Sequence, residues 1–263
     1  QIYTMNIKMG EIKFDTIISN LFKSFKINNN DTVFLHVKLR NLKKKYNISY
    51  KRLSIIIVEN LKKRGVKNIL VPSFFYSFGE KKKFDVNKTK SENGFFSEFF
   101  RKKYTQYRSN DPFFSICFYR KELTTSKEKK IDFHSSFKEK TIWDELYKNN
   151  VTVINIGLDH LIISLIHHIE YNCKVPYRVL FKRKGYKKID KKLSPITYTL
   201  YGRKKPFGVG LDWPKIENFL INKKIIKKTD ESTINFKCFK IKDVAKVLKP
   251  QIIKNPYFLI KKI

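Results

Sequence analysis

Three side chains suited to acid–base chemistry recur at regular spacing in one stretch of the chain. Ser164, His167 and Glu170 occupy positions i, i+3 and i+6, so on a helix each would lie beside the next on one face. A carboxylate beside a histidine fixes the imidazole tautomer and raises its basicity, as a general base near neutral pH requires. The spacing predicts a catalytic column of hydroxyl, imidazole and carboxylate. The alternative from spacing alone is the polar edge of an ordinary helix.

The residues around this column predict the elements that position it. Residues 151–156 form an apolar, β-branched run, and Gly157 ends it before apolar residues resume at helical spacing as far as Tyr171. This pattern is typical of a buried strand, a short loop and a helix. In open α/β sheets, ligands lie beyond the carboxyl ends of the strands. The column is therefore expected where active sites of such sheets are found.

The rest of the chain alternates between helical and strand patterns. Helices are predicted at 11–25, 49–64, 94–103, 141–148, 213–225 and 243–247, strands at 32–36, 68–72 and 113–119, an antiparallel pair around 196–200, and loops at 73–90 and 125–140. Helices alternating with strands indicate parallel pairing. We therefore expect an α/β protein in one domain, residues 1–263, with a mainly parallel central sheet flanked by helices and a small antiparallel addition in the C-terminal third.

Composition limits the class of protein. Of the 263 residues, 41% are hydrophobic and 15% aromatic, which excludes a disordered chain. No apolar run approaches the ~20 residues that span a bilayer, so we expect no membrane insertion and a cytoplasmic location. Three separated cysteines without C-x-x-C spacing predict buried thiols. His160, His167 and Glu170 lack a recognised zinc spacing, so no metal is predicted.

The charge of the chain is strongly positive. Lys and Arg number 57 against 23 Asp and Glu, for a net charge of +34. The lysines are scattered and accompany no RNA-binding signature, so no nucleic-acid partner is predicted. Such a charge attracts anionic small ligands and repels polycations. A non-catalytic basic module that binds nucleic acid or a membrane surface stays open as a different class of function.

Several stretches, in the same order over nearly the whole chain, resemble the aminoglycoside 3-N-acetyltransferase family. The family's H-S-S-L, M-P-T, F-D-p-x-x-T-p-s-x-x-G-x-x-x-E-x-x-R, R-S-x-H-P and G-(x)6-T-S-L-H-L-A-E motifs are similar to residues 36–39, 71–73, 84–101, 108–112 and 157–170. The last match places Gly157, Ser164, His167 and Glu170 at the family's spacing, with serine where threonine is usual. This chain departs from the pattern at Val37, Lys38, Asp111 and Leu165.

The resemblance implies an acetyl-coenzyme A-dependent N-acetyltransferase that forms no covalent acyl-enzyme. His167 would take a proton from the substrate amine, Glu170 would orient His167, and Ser164 would stand near the tetrahedral centre. The residues assigned to the cofactor are His36, Val37, Lys38, Arg108 and Ser109, and those assigned to the substrate are Ser73, Phe74, Tyr76, Glu98 and Asp111. From spacing alone, His36 also fits a core residue at a strand end, and Glu98 fits a surface ion pair with Arg101.

The net charge guides the choice of substrate. Binding of a polycationic aminoglycoside requires a cleft lined by carboxylates. This chain has only 23 acidic residues against 57 basic ones, which does not favour such a cleft. The predicted substrate is therefore an amino sugar, carried on an anionic nucleotide, that is acetylated for surface polysaccharide biosynthesis. The alternative within the family is an aminoglycoside. The expected partners are this small molecule and coenzyme A, and a homo-oligomer is left open.

Overall fold

The computed structural model describes residues 2–121, 131–189, 191–204, 210–229 and 234–261. The predicted loop at 125–140 lies partly outside the described residues. The helices are α1 (Ile2–Ser24), α2 (Leu39–Tyr46), α3 (Tyr50–Lys63), α4 (Phe78–Lys81), α5 (Phe95–Lys103), α6 (Ile142–Lys148), α7 (Ile166–Asn172), α8 (Trp213–Asn222) and α9 (Ile241–Lys254). The strands are β1 (Thr32–Val37), β2 (Asn68–Pro72), β3 (Lys83–Asp85), β4 (Tyr107–Arg108), β5 (Ile116–Phe118), β6 (Thr152–Ile156), β7 (Arg178–Ile189), β8 (Lys192–Arg203), β9 (Lys227–Lys228) and β10 (Phe236–Lys240).

A seven-stranded sheet with the order β4-β5-β2-β1-β6-β10-β9 forms the centre of the molecule. Its middle strand β1 pairs in parallel with both β2 and β6, while the outer strands pair antiparallel. The predicted α/β class is thereby confirmed, with the parallel strands gathered at the centre of a mixed sheet. The carboxyl ends of β2, β1 and β6 meet at one edge, which is the edge expected to carry the site.

The side chains of the central strands alternate between two cores, as the period of a strand requires. In β1, Val33 and Leu35 belong to the core that packs under α1, α3 and α5, while Phe34 belongs to the core that contains α6, α7 and α9. His36 follows Phe34 on the second face. Its partner in β6 is Asn155. The second face is thus apolar at its middle and polar at the carboxyl ends of the strands.

A second sheet, β3-β7-β8, stands beside the first. The strands β7 and β8 form a long hairpin of 12 residues each, so the predicted antiparallel addition is present and longer than the pattern around 196–200 indicated. A third apolar cluster, which includes Phe78, Phe84, Phe113 and Tyr198, joins this hairpin to the segment after β2. The segment 73–90, predicted as a loop, contains α4 and β3. Three of its aromatic side chains, Phe75, Phe78 and Phe84, pack in this cluster with the hairpin.

Other elements agree with the sequence pattern in type more than in length. Ser49 caps α3 by accepting a hydrogen bond from the Arg52 amide at 3.2 Å, and Gly65 follows the helix with φ +66°. The helix expected at 243–247 extends over Ile241–Lys254, with Pro250 inside it. The cysteines are free thiols, of which Cys117 and Cys238 are buried. Among the helices of the described ranges, none has both the length and the apolar character of a membrane span.

Candidate active site

His167 and Glu170 form a hydrogen-bonded pair in helix α7. His167 Nδ1 lies 2.6 Å from Glu170 Oε2, and because a carboxylate only accepts, Nδ1 carries the proton. The Glu170 side chain is fully buried, whereas that of His167 is 23% exposed. With Nδ1 committed, Nε2 is the nitrogen available to accept a proton from a ligand. The pair therefore has the arrangement of a general base and the carboxylate that orients it.

The strand β7 and the residue before it complete the partners of Glu170. Tyr177 Oη donates to Oε1 at 2.8 Å, and Arg178 Nε forms an ion pair with Oε2 at 2.7 Å. Burial favours a neutral carboxyl, but the charges and hydrogen bonds of His167, Arg178 and Tyr177 outweigh it, so the pKa of Glu170 is lowered. Glu170 is thus an ionised carboxylate inside the protein, held there by three partners.

Burial also lowers the pKa of His167, and the nearby charge of Arg178 lowers it further, against the opposing effect of Glu170. A lowered pKa keeps the imidazole neutral at physiological pH, which is the form that can accept a proton. Burial and the positive neighbour prevent the carboxylate from holding the histidine as a permanent cation. The electrostatics of the site therefore favour a base in its working protonation state.

Ser164 lies in the turn before α7 and contacts a different histidine. Its hydroxyl oxygen is 3.5 Å from His36 Nε2, at the end of β1. Burial lowers the pKa of His36 to about 3, so this ring is neutral at physiological pH. The hydrogen-bonding partner of the Ser164 hydroxyl is therefore His36 and not the His167–Glu170 pair.

The loop between β6 and α7 explains why Ser164 precedes the helix. Gly157 has φ +70°, and a Cβ there would meet the carbonyl oxygen of Lys38. Asn155 then binds Ile162 twice, donating to its carbonyl at 3.0 Å and accepting from its amide at 2.7 Å. The Leu161 amide donates to Glu217 at 2.8 Å. These hydrogen bonds give the backbone groups of Leu161 and Ile162 partners outside a helix. The helix α7 therefore begins later than the apolar spacing of residues 158–163 predicts.

Aromatic side chains connect the two histidines. The Phe137 ring meets His167 edge-on, with centroids 5.1 Å apart, and contacts Trp143 at 4.8 Å. Trp143 contacts Phe34, which in turn contacts His36 at 5.1 Å. This wall shields the histidines from bulk water and places no carboxylate of its own beside His167. It also explains why burial dominates the pKa values of both rings.

The predicted cofactor residues fall into two groups. His36, Val37 and Lys38 lie at the carboxyl end of β1, next to Ser164 and the loop after β6. Lys38 forms an ion pair with Asp159 of that loop, and Asn41 donates to the same carboxylate at 2.9 Å. This group therefore lies at the same edge of the sheet as the His167–Glu170 pair, where the carboxyl ends of the parallel strands meet.

Arg108 and Ser109 form the second group and are bonded within the protein. The Arg108 guanidinium donates to Ser115 Oγ at 3.0 Å and to the carbonyls of Ser73, Val86 and Thr89 at 2.8, 3.2 and 2.5 Å. The Ser109 hydroxyl is buried and accepts from the Ile116 amide at 2.9 Å. Arg108 thus holds the segment that follows β2, and Ser109 bonds to the first residue of β5. These contacts fit the alternative that a turn carries such residues for backbone reasons.

The predicted substrate residues are likewise divided. Phe74 and Tyr76 contact each other and Phe114, with Tyr76 about half exposed, and Ser73 is buried at the end of β2. Glu98 accepts two hydrogen bonds from Arg101, both of 2.8 Å, and one from the Ser91 amide at 2.9 Å. The ion-pair interpretation of Glu98 thus describes its contacts in the structure.

Asp111 is buried and joins the two sheets. It accepts from the amides of Phe113 and Phe114 at 2.9 and 2.8 Å, and its two oxygens are each 2.9 Å from Tyr198 Oη. Burial raises the pKa of Asp111 to about 7. The aspartate that replaces the histidine of the family's R-S-x-H-P turn therefore faces the hairpin, with its oxygens occupied by protein donors.

Four residues near the pair were not predicted from the sequence. Tyr177 and Arg178 belong to a basic, aromatic stretch without periodicity, and only their position just after the helix could have drawn attention to them. Phe137 lies in a segment predicted as a loop, and Asn155 is the polar residue in an apolar strand, which was a usable signal. In the part of the chain that the structure describes, no cluster of three side chains is suited to hold a metal ion.

Comparison with known proteins identifies the family. The model of the aminoglycoside 3-N-acetyltransferase family matches residues 58–250. The chain belongs to the aminoglycoside 3-N-acetyltransferase family. The predicted family and enzyme class, an acyltransferase with acetyl-CoA as cosubstrate, are thereby confirmed. No curated protein sequence matches the chain.

Several solved structures have the same fold, and some of them are aminoglycoside acetyltransferases. YokD from Bacillus subtilis has a TM-score of 0.70 and 16% identity, covering 92% of this chain and 99% of its own. Aminoglycoside acetyltransferase AAC(3)-Xa has a TM-score of 0.72 and 14% identity, with 94% and 98% covered. AAC-IIIb, in a binary complex with CoASH, has a TM-score of 0.74 and 12% identity, with 91% and 96% covered. At these identities the likeness establishes the shared fold.

Proposed function

We propose that this member of the aminoglycoside 3-N-acetyltransferase family acetylates an amino group on an amino sugar of the aminoglycoside class, with His167 as the general base. The observation that carries the proposal is the His167–Glu170 pair. Its 2.6 Å hydrogen bond leaves Nε2 as the basic nitrogen at the edge of the sheet where ligands bind. Structures of relatives bound to sisomicin and to a gentamicin support an aminoglycoside as the class of acceptor.

The proposed reaction is a direct transfer. The amine nitrogen attacks the carbonyl carbon of the acetyl thioester, and the proton that this nitrogen loses passes to His167 Nε2. The C–N bond forms, the C–S bond breaks, and the thiolate of coenzyme A leaves and regains a proton from His167. Glu170 stabilises the imidazolium between these two proton transfers. Holding both reactants together supplies much of the acceleration.

Ser164 has a proposed role that follows from its position one turn before His167. The residue is only 9% exposed, and its hydroxyl lies beside His36, whose pKa is too low for it to compete as a base. With the ring proton on Nε2, His36 donates to the Ser164 oxygen, and the hydroxyl proton is then free to be donated to the oxyanion of the tetrahedral intermediate. His36 then orients Ser164, as Glu170 orients His167.

A second candidate acceptor is a nucleotide-linked amino sugar. The observation that favours it is that two carboxylates of the described residues are already engaged: Glu170 has three partners and Asp111 is buried against Tyr198. A polycation would find few anionic partners beside His167, whereas Lys38 and the excess of basic residues suit an anionic carrier. The comparisons give no support to a role in polysaccharide biosynthesis, and that role is not proposed.

Release of free thiol from acetyl-CoA tests the proposal. The wild type and His167→Gln are assayed with one panel of aminoglycosides and one of nucleotide-linked amino sugars. Thiol release with an aminoglycoside that the variant loses supports the proposal. Release with nucleotide-linked sugars alone selects the second candidate and rejects the first. If neither panel responds while coenzyme A binds, both acceptors are rejected.

A further inference from the structure

Arg178 is the first residue of β7 and connects the hairpin to the catalytic pair. Its side chain is only 6% exposed, and its Nε forms the 2.7 Å ion pair with Glu170 Oε2. One terminal nitrogen, Nη2, lies 2.9 Å from His167 Nδ1. The other, Nη1, is 3.4 Å from the carbonyl of Tyr201 in β8, and the guanidinium stands over the Tyr201 ring at 5.5 Å. The Arg178 side chain thus contacts both members of the pair.

The contact with Nδ1 restricts the charge that His167 can carry. Nδ1 donates its proton to Glu170, so it cannot accept a proton from Arg178 at the same time. The positively charged guanidinium of Arg178 thus lies next to a ring nitrogen that already bears a hydrogen. When the ring gains a second proton, two positive charges stand 2.9 Å apart at the nearest atoms, and that state is disfavoured. The neutral ring with a free Nε2 has no such conflict.

We propose that Arg178 is a positioning residue for the transfer reaction, which fixes the Glu170 carboxylate and keeps His167 neutral with Nε2 free to accept a proton. This inference rests on the proposed function, because it concerns the same base. It assigns to the hairpin, whose first strand begins shortly after the helix that carries His167 and Glu170, control over the basicity of the site.

The charged groups around His167 are consistent with this role. Glu170 faces it from the same helix, Arg178 from β7 and Arg203 from β8, while the segment before α6 contributes the uncharged Phe137 ring. Arg178 and Arg203 are directly paired across the hairpin. Burial and these two cations lower the pKa of His167 against one carboxylate. Arg178 is the cation that contacts both the ring and the carboxylate.

Two variants of Arg178 and one control variant separate the effect of its charge from the effect of its shape. Arg178→Gln removes the charge, and Arg178→Lys keeps the charge but loses the planar fork that reaches Glu170 and His167 together. The matched control is Arg183→Gln, five residues along the same strand, where the side chain is exposed and lies over Phe181. For each variant, the titration of His167 is followed by NMR without an acceptor, and kcat/KM for thiol release is measured against pH.

In Arg178→Gln, the His167 titration and the acid limb of kcat/KM should move to higher pH by about 1 unit or more. In Arg178→Lys the titration should stay near that of the wild type while kcat/KM falls by about tenfold, and Arg183→Gln should match the wild type in both. A folded Arg178→Gln with an unmoved titration would overturn the proposal. If that variant does not fold, a wild-type kcat/KM in Arg178→Lys would overturn it instead. Absence of any active acceptor refutes the proposed function alone, because the NMR titration needs none.

Discussion

Replacement of Glu170 by glutamine tests the centre of the site with little change in shape. The carboxylate is fully buried, with its oxygens 2.6 Å from His167 Nδ1, 2.7 Å from Arg178 Nε and 2.8 Å from Tyr177 Oη. Glutamine leaves the Arg178 charge buried without its counter-ion. Loss of one member of a buried ion pair typically destabilises by about 3–5 kcal/mol. We expect Glu170→Gln to reduce the free energy of unfolding by an amount in that range.

The same change should reduce activity more than stability alone explains. Without a carboxylate, the Nδ1 proton of His167 has a weaker acceptor, and the imidazolium that forms during transfer loses its counter-charge. General-base contributions of this kind are about 100- to 10,000-fold. We expect kcat for thiol release to fall by at least about 100-fold at a temperature where the variant is fully folded.

Urea unfolding at several pH values provides the sharper assay. The folded-state pKa of Glu170 is lowered, so its contribution to stability is fully present above the unfolded-state pKa and is lost as pH falls through the lowered folded-state value. The difference between the wild type and Glu170→Gln should therefore be largest near pH 7 and shrink below about pH 4. The matched control is Glu59→Gln, which removes a partly exposed pair with Lys62 and should change stability by less than about 1 kcal/mol at any pH.

Two results would refute this reasoning. If Glu170→Gln retained wild-type kcat, the carboxylate would have no part in the proton transfer. If its destabilisation were the same well below pH 4 as at pH 7, the loss would come from packing and not from the ionised pair with His167 and Arg178.

Three further predictions concern single residues. His167→Gln should lower kcat/KM by about 100-fold or more, with a melting temperature within a few degrees of the wild type because the ring is partly exposed; unchanged thiol release would exclude it as the base. Asp111→Asn should flatten the pH dependence of stability. The pKa of Asp111 is raised to about 7 in the folded state, so its contribution to stability, up to about 4 kcal/mol, is fully present below the unfolded-state pKa and is lost as pH rises through 7. Parallel urea profiles of the variant and the wild type between pH 5 and 8 would contradict this. Gly157→Ala should destabilise by about 2 kcal/mol or more, since φ is +70° and the new Cβ meets the Lys38 carbonyl; an unaltered urea midpoint would show that the loop relaxes.

The fold was predictable where the spacing of apolar residues and the residues that begin or end an element indicate the same helix or strand. The strands at 32–36, 68–72 and 151–156 and the helix between Ser49 and Gly65 follow from such patterns. They form the parallel centre of the sheet and one of its flanking helices. The strand β10 was missed because its lysines, Lys237 and Lys240, hide the apolar alternation; both are paired with carboxylates in the structure. The pattern after β2 predicts only a loop because Phe75, Phe78 and Phe84 pack against a hairpin distant in sequence, and such contacts leave no local periodicity.

The site shows the same division between local and distant causes. His167 and Glu170 are three residues apart in one helix, so their contact follows from helical geometry. Ser164 stands at the same spacing, yet bonds from Asn155 and Glu217 hold the loop before it out of helical form. Arg178 reaches the pair from a strand, and its side chain is placed by Tyr201 on the neighbouring strand. Spacing therefore identifies the base and its orienting carboxylate, while the groups that set their protonation come from pairings that only the folded chain creates.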